Sequence, residues 1–334
     1  MSDIGVGVVG TGIMGGDHAR TLAQSIKGAT LVALADPDVE RASAIAGATG
    51  ARRVHVDPHA LIDDPEVDAV LVASPDPTHE RLVLACLAAG KPVLCEKPLA
   101  PTIEGCLRVI EAEVALGRQL VQVGFMRRFD PGYAAMQATL ADGRIGTPLI
   151  LHCVHRNATV PPSFDSGMLI TNSAVHEIDI ARWLLQDEFS AVTVFTPRAR
   201  ESGVLVDPQF LVLRTRAGTI VDVEVFVTAQ YGYDVRAELV CEAGTATLAP
   251  GAPVRIRSSG SDALAFAVDW RAHFAAAYRN QLQAWVRSVE TGVPTGASAW
   301  DGYAATATAQ ACLDAFHSGG TVDVNLQSRP ALYA

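Results

Sequence analysis

Hydrophobic residues in the first third of the chain form short, uninterrupted runs separated by longer stretches with helical spacing. The runs lie at residues 4–9, 30–35, 68–73, 92–95 and 119–123. Uninterrupted apolar runs of this length are typical of strands that are covered on both faces. The stretches at residues 38–49, 78–89 and 102–116 predict helices between them. Strand and helix therefore alternate, which predicts a doubly wound parallel sheet with right-handed crossovers over residues 1–123.

From residue 124 onward the runs become longer and alternate approximately between apolar and polar residues. The alternating runs lie at residues 149–156, 191–200, 210–216, 219–228, 234–242 and 245–248. Ala217-Gly218 and Ala243-Gly244 are suited to the turns of hairpins. Residues 124–334 thus predict an α+β domain with an open, mostly antiparallel sheet, within an α/β fold overall. An open sheet can pack one face against a copy of itself, so we also predict a homo-oligomer.

The end of the chain returns to helical spacing. A single long helix is predicted over residues 270–290, because large apolar residues recur there with the helical period. A second helix is predicted over residues 299–317 and a short strand over residues 321–326. The tryptophans of the first helix, Trp270 and Trp285, are interpreted as core residues.

A glycine cluster, GTGIMGG at residues 10–16, joins the first apolar run to the first helical stretch. Gly10 would permit a tight turn, Gly12 would let the backbone approach a pyrophosphate, and Gly15 would let the helix lie close to the strand. The unpaired N–H groups of the helix start would then point at the phosphates. Such spacing also arises by chance in a glycine-rich sequence, so its context decides the interpretation.

That context is the second apolar run, which ends in Asp36, about 20 residues past the last glycine. A carboxylate at this point can accept hydrogen bonds from both ribose hydroxyls of an adenosine. It would also repel a 2′-phosphate, and no arginine follows it directly, so NAD is predicted over NADP. The alternative is an ordinary strand-to-helix turn with a capping aspartate.

Composition narrows the class of partner. The 334 residues carry a formal net charge of −10 with no run of lysine or arginine, which argues against a nucleic-acid or anionic-membrane surface and favours a small molecule. The six cysteines are scattered without a C-x-x-C motif, so we expect reduced thiols in a cytoplasmic protein and neither disulfides nor a metal site. We also expect no targeting segment and no membrane span.

Two stretches supply candidates for chemistry. Ligands of doubly wound sheets bind beyond the carboxyl ends of the strands, and there the run at residues 92–95 delivers Glu96-Lys97-Pro98. Lys97 is therefore the first catalytic candidate, with a solvated loop lysine as the alternative. The second stretch, TNSAVHEIDIARWLL at residues 171–185, predicts a helix.

On that predicted helix, Asn172, His176 and Asp179 would share one face, since they lie at positions i, i+4 and i+7. A stripe of amide, imidazole and carboxylate is unusual on a helix with so much apolar surface. It marks His176 as a candidate base, with a structural histidine as the alternative.

Several motifs together give the chain a family resemblance. The opening GTGIMGGDHA, the sequence CEKPL at residues 95–99 and the helix with HEID at residues 176–179 resemble the Gfo/Idh/MocA family of oxidoreductases. The resemblance covers nearly the whole chain. Within the family, GFMRRFD at residues 124–130, HRN at residues 155–157 and YGYD at residues 231–234 resemble the myo-inositol 2-dehydrogenases.

The resemblance implies an NAD-binding Rossmann domain, a substrate-binding and oligomerisation domain, a homotetramer built through the open sheet, and a cis peptide before Pro98. The cofactor contacts that we predict are Gly10, Gly12, Ile13, Met14, Gly15, Asp36, Ser74, Glu96 and Lys97. The implied catalytic group is Lys97, Asn172 and His176. The implied substrate contacts are Met126, Arg127, His155, Asn157, Asp179 and Tyr233.

The implied reaction is NAD-dependent oxidation of a secondary alcohol of a cyclic polyol, most simply myo-inositol to 2-keto-myo-inositol. The hydroxyl proton must leave as the hydride leaves. The imidazole of His176, with an unperturbed pKa of about 6.5, is suited to take that proton. Lys97 as an ammonium would stabilise the developing alkoxide. The two groups would titrate as a coupled pair, so either can hold the proton at the end.

One position departs from the family, which typically has an aspartate where this chain has Asn172. An amide can orient a ring by hydrogen bonding but cannot stabilise an imidazolium by charge. Either the aspartate is dispensable, or Asp179 supplies the charge, or the substrate differs. Other open alternatives are a dehydrogenase for another inositol isomer or a sugar, and a ligand-sensing regulator. A regulator without turnover would be expected to lose the lysine and the histidine, and both are present.

Overall fold

The computed structural model describes residues 3–198, 205–248, 255–258, 261–264 and 266–334. Its contacts divide the chain into two compact units. The first unit comprises Met1–Phe129, Ala276–Thr306 and Gln327–Ala334, and the second comprises Asp130–Ala275 and Ala307–Leu326. The sequence predicted one boundary, after Val123, with all later residues in the second domain. In the structure, Ala276–Thr306 and Gln327–Ala334 also belong to the first unit.

A six-stranded sheet forms the centre of the first unit. Its strands are β1 (Ile4–Val9), β2 (Ala29–Ala35), β3 (Arg53–His55), β4 (Ala69–Val72), β5 (Val93–Cys95) and β6 (Val121–Val123). The helices between them are α1 (Ile13–Ser25), α2 (Val39–Thr49), α3 (Pro58–Ile62), α4 (His79–Ala88) and α5 (Ile103–Leu116). All pairs are parallel and the order is β3-β2-β1-β4-β5-β6, which confirms the predicted doubly wound sheet and adds β3 and α3 to it.

The remaining elements follow in chain order. They are α6 (Pro131–Ala141), β7 (Pro148–Arg156), a π-helical turn (Leu169–Ala174), α7 (Val175–Leu185), β8 (Phe189–Phe195), β9 (Gln209–Thr215), β10 (Ile220–Phe226), β11 (Asp234–Cys241), β12 (Gly244–Thr247), β13 (Arg255–Ser258), β14 (Ser261–Leu264), α8 (Trp270–His273), α9 (Ala275–Thr291), α10 (Ala299–Ser318) and β15 (Thr321–Asp323). Residues 199 and 200, at the end of one predicted strand, lie outside the described residues.

A seven-stranded sheet forms the centre of the second unit, in the order β12-β11-β7-β10-β9-β8-β15. Within the described strands of this sheet, β7 and β10 pair in parallel and the other neighbours pair antiparallel. This confirms the predicted open, mostly antiparallel sheet. Along β7 the residues at 151, 153 and 155 are buried, so alternation places His155 on the covered face of the sheet.

The helix predicted over residues 270–290 is wrong as a single element. It is interrupted at Phe274, whose backbone leaves the helical conformation (φ −104, ψ 18) while its side chain stays buried. Apolar spacing continues across the break, so periodicity could not reveal it. Beyond the break, α9 buries Leu282 and Trp285 in the same hydrophobic core as Val6 and Leu31 of the first sheet. This burial is why α9 belongs to the first unit.

Candidate active site

The glycine loop between β1 and α1 shows why glycine is required at two of its positions. Gly10 has a φ of +89, and an added Cβ would lie 2.6 Å from the Ala73 carbonyl oxygen. An added Cβ at Gly15 would overlap the Gly10 carbonyl oxygen, so only glycine lets α1 start this close to the loop. Gly12 differs, because nothing lies within 4 Å of an added Cβ there.

The start of α1 fits the pyrophosphate of a dinucleotide. Gly12 is the N-cap of the helix, with no side-chain hydrogen bond to the first N–H groups and no acidic residue in the first turn. Ile13 is exposed and Met14 is half-buried beside it. Free N–H groups, the positive end of the helix dipole and open space over Gly12 are the features that an anionic ligand needs.

Asp36 is a buried carboxylate at the carboxyl end of β2. It accepts hydrogen bonds from the Thr11 N–H (2.7 Å) and hydroxyl (2.9 Å), the Asp38 N–H (2.9 Å) and the Arg41 guanidinium (2.6 Å). Burial alone would raise the pKa of Asp36, but the hydrogen bonds from Arg41, Thr11 and Asp38 outweigh it and lower the pKa. The side chain is therefore held as a carboxylate, the form that accepts ribose hydroxyls.

Arg41 is a residue that sequence reasoning missed. The NAD prediction relied on the absence of an arginine directly after Asp36, yet the first turn of α2 brings Arg41 back to it. Its guanidinium also contacts Asp38 (2.9 Å) and donates to the Thr11 hydroxyl (3.3 Å). The pairing offsets part of the negative charge, so Asp36 repels a 2′-phosphate less than the sequence predicted. The i, i+3 spacing to Asp38 was the available signal.

Lys97 follows β5, and the Lys97–Pro98 peptide is cis, as the family resemblance implied. Desolvation lowers the pKa of Lys97. The carboxylates of Glu96 and Asp76 act in the opposite direction, the Arg127 cation adds to the lowering, and the pKa is lowered overall. The side chain is half-buried. This is not the environment of a solvated loop lysine, for which no such shift would occur.

Two buried histidines hold the loops around Lys97. The His79 ring lies between two carbonyl oxygens, with Nε2 2.8 Å from that of Ser74 and Nδ1 2.7 Å from that of Pro98. His18 on α1 places Nε2 2.8 Å from the Glu96 carboxylate. Sequence reasoning missed both histidines. The Glu96 partner of His18 lies 78 residues away along the chain, and His79 joins Ser74, five residues before it, to Pro98, 19 residues after it. Helical or strand periodicity does not reveal either pairing.

The stretch after β6 forms a 3-10 turn, Met126–Phe129. Met126 and Arg127 are both buried, and Arg127 is close enough to Lys97 for its charge to act on the pKa of that group. Arg128 is also buried and pairs with Asp301 (3.1 Å). Neither arginine is therefore a surface residue.

In the second unit, the predicted helix over residues 171–185 is a regular α-helix only from Val175. Residues 169–174 form the π-helical turn, so the 3.6-residue spacing that placed Asn172 on one face with His176 does not apply to Asn172. His176 and Asp179 both lie on α7, where Asp179 is buried and His176 is half-buried. π-helical turns occur frequently at functional sites.

Three predicted substrate or catalytic residues lie close together in the second unit. The His155 ring lies 6.4 Å from that of His176 and 5.8 Å, nearly perpendicular, from that of Tyr233, measured between centroids. Asn157 follows β7 directly, and its Oδ1 is buried without a hydrogen-bond partner among the described residues. An unpaired buried acceptor suits a ligand that carries hydroxyl donors.

This group has two further members that sequence reasoning did not include. His273 packs its ring against Tyr233, with centroids 5.5 Å apart. Glu177 places a carboxylate oxygen 3.0 Å from His155 Nδ1, and both side chains are buried. Glu177 lay inside the HEID motif, but a residue adjacent to His176 points elsewhere on a helix and gave no facing signal.

Three further observations concern disulfides, metal sites and membrane spans. All six cysteines are buried free thiols. No group of three or more metal-ligating side chains occurs within the part of the chain that the structure describes. Each helix in the same residues is too short or too polar to cross a bilayer.

Comparisons with known proteins cover both halves of the chain. Residues 4–125 match the oxidoreductase family with an NAD-binding Rossmann fold, GFO_IDH_MocA, and residues 133–247 match the GFO/IDH/MocA C-terminal domain. Inositol 2-dehydrogenases 2 and 1 of Saccharopolyspora erythraea are 54% and 55% identical to this chain, each comparison covering 98% of both proteins. The crystal structure of myo-inositol dehydrogenase from Lactobacillus casei with NAD(H) and myo-inositol superposes with a TM-score of 0.95 at 37% identity, covering 99% of this chain and 100% of that one.

Proposed function

The chain belongs to the Gfo/Idh/MocA oxidoreductase family, and from that membership we propose that it is an NAD-dependent inositol 2-dehydrogenase that oxidises myo-inositol to 2-keto-myo-inositol. The observation that supports the substrate class is the group of His155, His176 and Tyr233, together with the unpaired Oδ1 of Asn157 two residues after His155. A neutral polyol needs directed hydrogen bonds more than it needs charge, and this group supplies donors and acceptors.

NAD is the cofactor, and the first unit contains the residues that would hold it. The open backbone at Gly12 and the start of α1 would take the pyrophosphate, and Asp36 would take the ribose hydroxyls. When bound, NAD accepts a hydride from the alcohol carbon. The protein has to orient the alcohol and to move its proton.

We assign the proton to His176 and the stabilisation of the alkoxide to Lys97. An imidazole can accept a proton near neutral pH, which a hydroxyl must release during oxidation. The lowered pKa of Lys97 makes its proton easier to share with a substrate oxygen than that of a solvated lysine. Arg127, whose charge acts on Lys97, adds a second cation that favours an anionic oxygen.

The other predicted contacts recognise the polyol. The rings of His155 and Tyr233 lie next to each other, Asn157 has a buried Oδ1 without a partner among the described residues, and Asp179 adds a buried carboxylate on α7. Each can bond one hydroxyl in a fixed direction, so the set would discriminate between epimers. A site built to bond a hydroxyl rejects an analogue that lacks it, because a buried polar group is then left unpaired.

We further propose a cytoplasmic homotetramer. The outer face of the second sheet exposes Phe195 and Phe210, which are register partners on β8 and β9. It also carries paired charges, including His152 with Asp222. Exposed aromatic residues on a sheet face favour burial against another copy. Six reduced thiols suit a reducing compartment. A monomeric mass by light scattering at micromolar concentration would refute the tetramer.

A substrate panel tests the activity directly. Formation of NADH or NADPH is followed with myo-, scyllo- and chiro-inositol, glucose and glycerol, each with NAD and with NADP. We expect the highest kcat/KM with myo-inositol and NAD. A higher value for another inositol or for glucose would reassign the substrate within the family. Absence of turnover with every polyol, in a protein that binds NADH, would favour a ligand-sensing role instead.

A further inference from the structure

Glu177 is a buried carboxylate on α7 that the proposed reaction does not use. Only 1% of the residue is exposed, and its Oε2 lies 3.0 Å from Nδ1 of His155. Burying a carboxylate costs free energy unless it is paired, so the contact with the imidazole is part of what holds Glu177 in place. The contact also affects His155, because a carboxylate at Nδ1 determines which ring nitrogen carries the proton.

The tautomer of His155 follows from hydrogen-bond chemistry. An ionised carboxylate can only accept, so Nδ1 of His155 must be the protonated nitrogen. Nε2 of the neutral ring then carries the lone pair and can accept a hydrogen bond from a hydroxyl. Carboxylate partners fix imidazole tautomers in the same way at metal sites and in hydrolases.

The ring that Glu177 fixes lies among predicted substrate contacts. Its centroid is 6.4 Å from that of His176 and 5.8 Å from that of Tyr233, and all three residues belong to the second unit. A rotation or a change of tautomer at His155 would therefore alter the donors and acceptors offered to the ligand. A sheet residue and a helix residue are joined here, which explains why the sequence pattern did not show the pair.

Glu177 matters more in this chain because Asn172 stands where related inositol dehydrogenases are expected to have an aspartate. The neutral amide of Asn172 cannot hold an imidazole by charge. Two carboxylates remain on α7, Glu177 and Asp179, and both are buried. Of these, Glu177 contacts an imidazole of the candidate site directly.

We propose that Glu177 is a positioning residue of the polyol site, which holds His155 in the tautomer whose Nε2 accepts a hydrogen bond from a ring hydroxyl of the substrate. The identity of the polyol rests on the proposed function, whereas the pairing of Glu177 with His155 does not. No covalent step is assigned to Glu177. Proton removal stays with His176 and Lys97.

Kinetics of three variants test the proposal. Glu177→Leu removes the acceptor, and we expect the KM for myo-inositol to rise about tenfold or more while kcat falls less than about threefold, since a substrate hydrogen bond is lost. Glu177→Gln keeps an oxygen that can accept from Nδ1 and should recover part of the affinity. In a His155→Gln background, Glu177→Leu should change KM by less than about twofold, because Glu177 acts through His155.

Glu188→Gln is the matched control. Glu188, which lies between α7 and β8, forms a two-pronged ion pair with Arg182 of α7, at 2.6 and 2.8 Å, and has no place in the proposed site. Its loss should lower the melting temperature and leave the KM unchanged. If the Glu177 variants resemble this control, or if their effects on KM persist undiminished in the His155→Gln background, the proposal is overturned.

A second measurement needs neither turnover nor the leucine variant. In histidine-labelled protein without substrate, nitrogen NMR should show His155, assigned with the His155→Gln variant, protonated at Nδ1 in the wild type. Glu177→Gln should shift part of the population toward Nε2 protonation, because its amide can donate to Nδ1 as well as accept from it. A wild-type ring protonated at Nε2 would overturn the proposal. Failure of every polyol to react would refute the proposed function and leave this readout intact.

Discussion

A methyl group at Gly12 is expected to separate cofactor binding from folding. Gly12 has φ −63 and ψ −161, an extended conformation that alanine adopts without strain. No atom lies within 4 Å of the added Cβ. The apo protein should therefore tolerate Gly12→Ala within about 0.5 kcal/mol. The methyl would instead occupy the space through which a pyrophosphate reaches the N–H groups of α1.

The loss of affinity can be worked from that geometry. Because the start of α1 has no side-chain cap, a phosphate is the natural acceptor for its N–H groups. A hydrogen bond to a charged group contributes about 1.5–3 kcal/mol. Losing one such bond should weaken NAD binding about 10- to 150-fold, and losing two should weaken it further.

Calorimetric titration with NADH and a thermal melt of the apo protein measure both effects, with two matched glycine variants. Gly15→Ala should lower both stability and affinity, because its Cβ overlaps the Gly10 carbonyl oxygen and overpacking costs about 1–3 kcal/mol. Gly47→Ala, in α2 with nothing within 4 Å of the new Cβ, should leave affinity unchanged. Wild-type affinity in Gly12→Ala, or a melting point that falls as far as that of Gly15→Ala, would refute the reasoning.

Three further predictions concern titratable groups. Lys97→Ala and His176→Ala should each lower kcat about 100-fold or more with NADH affinity nearly unchanged, and normal turnover would remove that residue from the mechanism. Lys97→Met should raise the melting temperature at pH 7, because a lysine whose pKa is lowered in the folded protein costs stability while it is protonated. This increase in melting temperature should shrink as the pH rises toward the pKa of the unfolded chain. An increase that grows with pH would contradict the lowered pKa of Lys97. Glu113→Gln should stabilise the fold at neutral pH but not near pH 4, because burial raises the pKa of Glu113 despite the hydrogen bond from Tyr333. The wild type therefore loses stability as the pH rises and this carboxyl group ionises. Equal differences in melting temperature between variant and wild type at both pH values would contradict the raised pKa.

The features that the sequence predicted correctly depend on local periodicity or on backbone sterics. The strand runs of the first unit are apolar throughout because both faces of that sheet are covered, and this pattern is readable without partners. Gly10 and Gly15 were assignable because a turn and a close helix approach exclude a Cβ, wherever the rest of the chain lies. The predicted turn at Ala217-Gly218 follows the same logic, since Gly218 has a φ of +99. The turn predicted at Ala243-Gly244 lies one residue earlier, because Gly244 already pairs with Cys241 as the first residue of β12.

The features that escaped prediction depend on partners that are distant in sequence or on a change of helical period. His18 meets Glu96 across 78 residues, and Glu177 meets His155 across the gap between a helix and a strand. The π-helical turn at residues 169–174 breaks the spacing that linked Asn172 to His176. Arg41 lies only five residues from Asp36, but its side chain returns to that carboxylate from the first turn of α2, which the residue directly after Asp36 does not reveal.

The charges of the two units suit the two demands of the proposed reaction. In the first unit, Lys97 and Arg127 are cations close enough to disfavour each other, and both would be relieved by an anionic oxygen. In the second unit, buried carboxylates on α7 include Glu177, which orients an imidazole. In the proposed reaction, the alkoxide that would form during oxidation is favoured by the two cations of the first unit. Desolvation of the Lys97 ammonium costs stability, and an anionic substrate oxygen would offset that cost. The oxygen becomes anionic only as the substrate gives up its proton, so this interaction would stabilise the transition state more than the bound alcohol, and it would therefore speed the reaction.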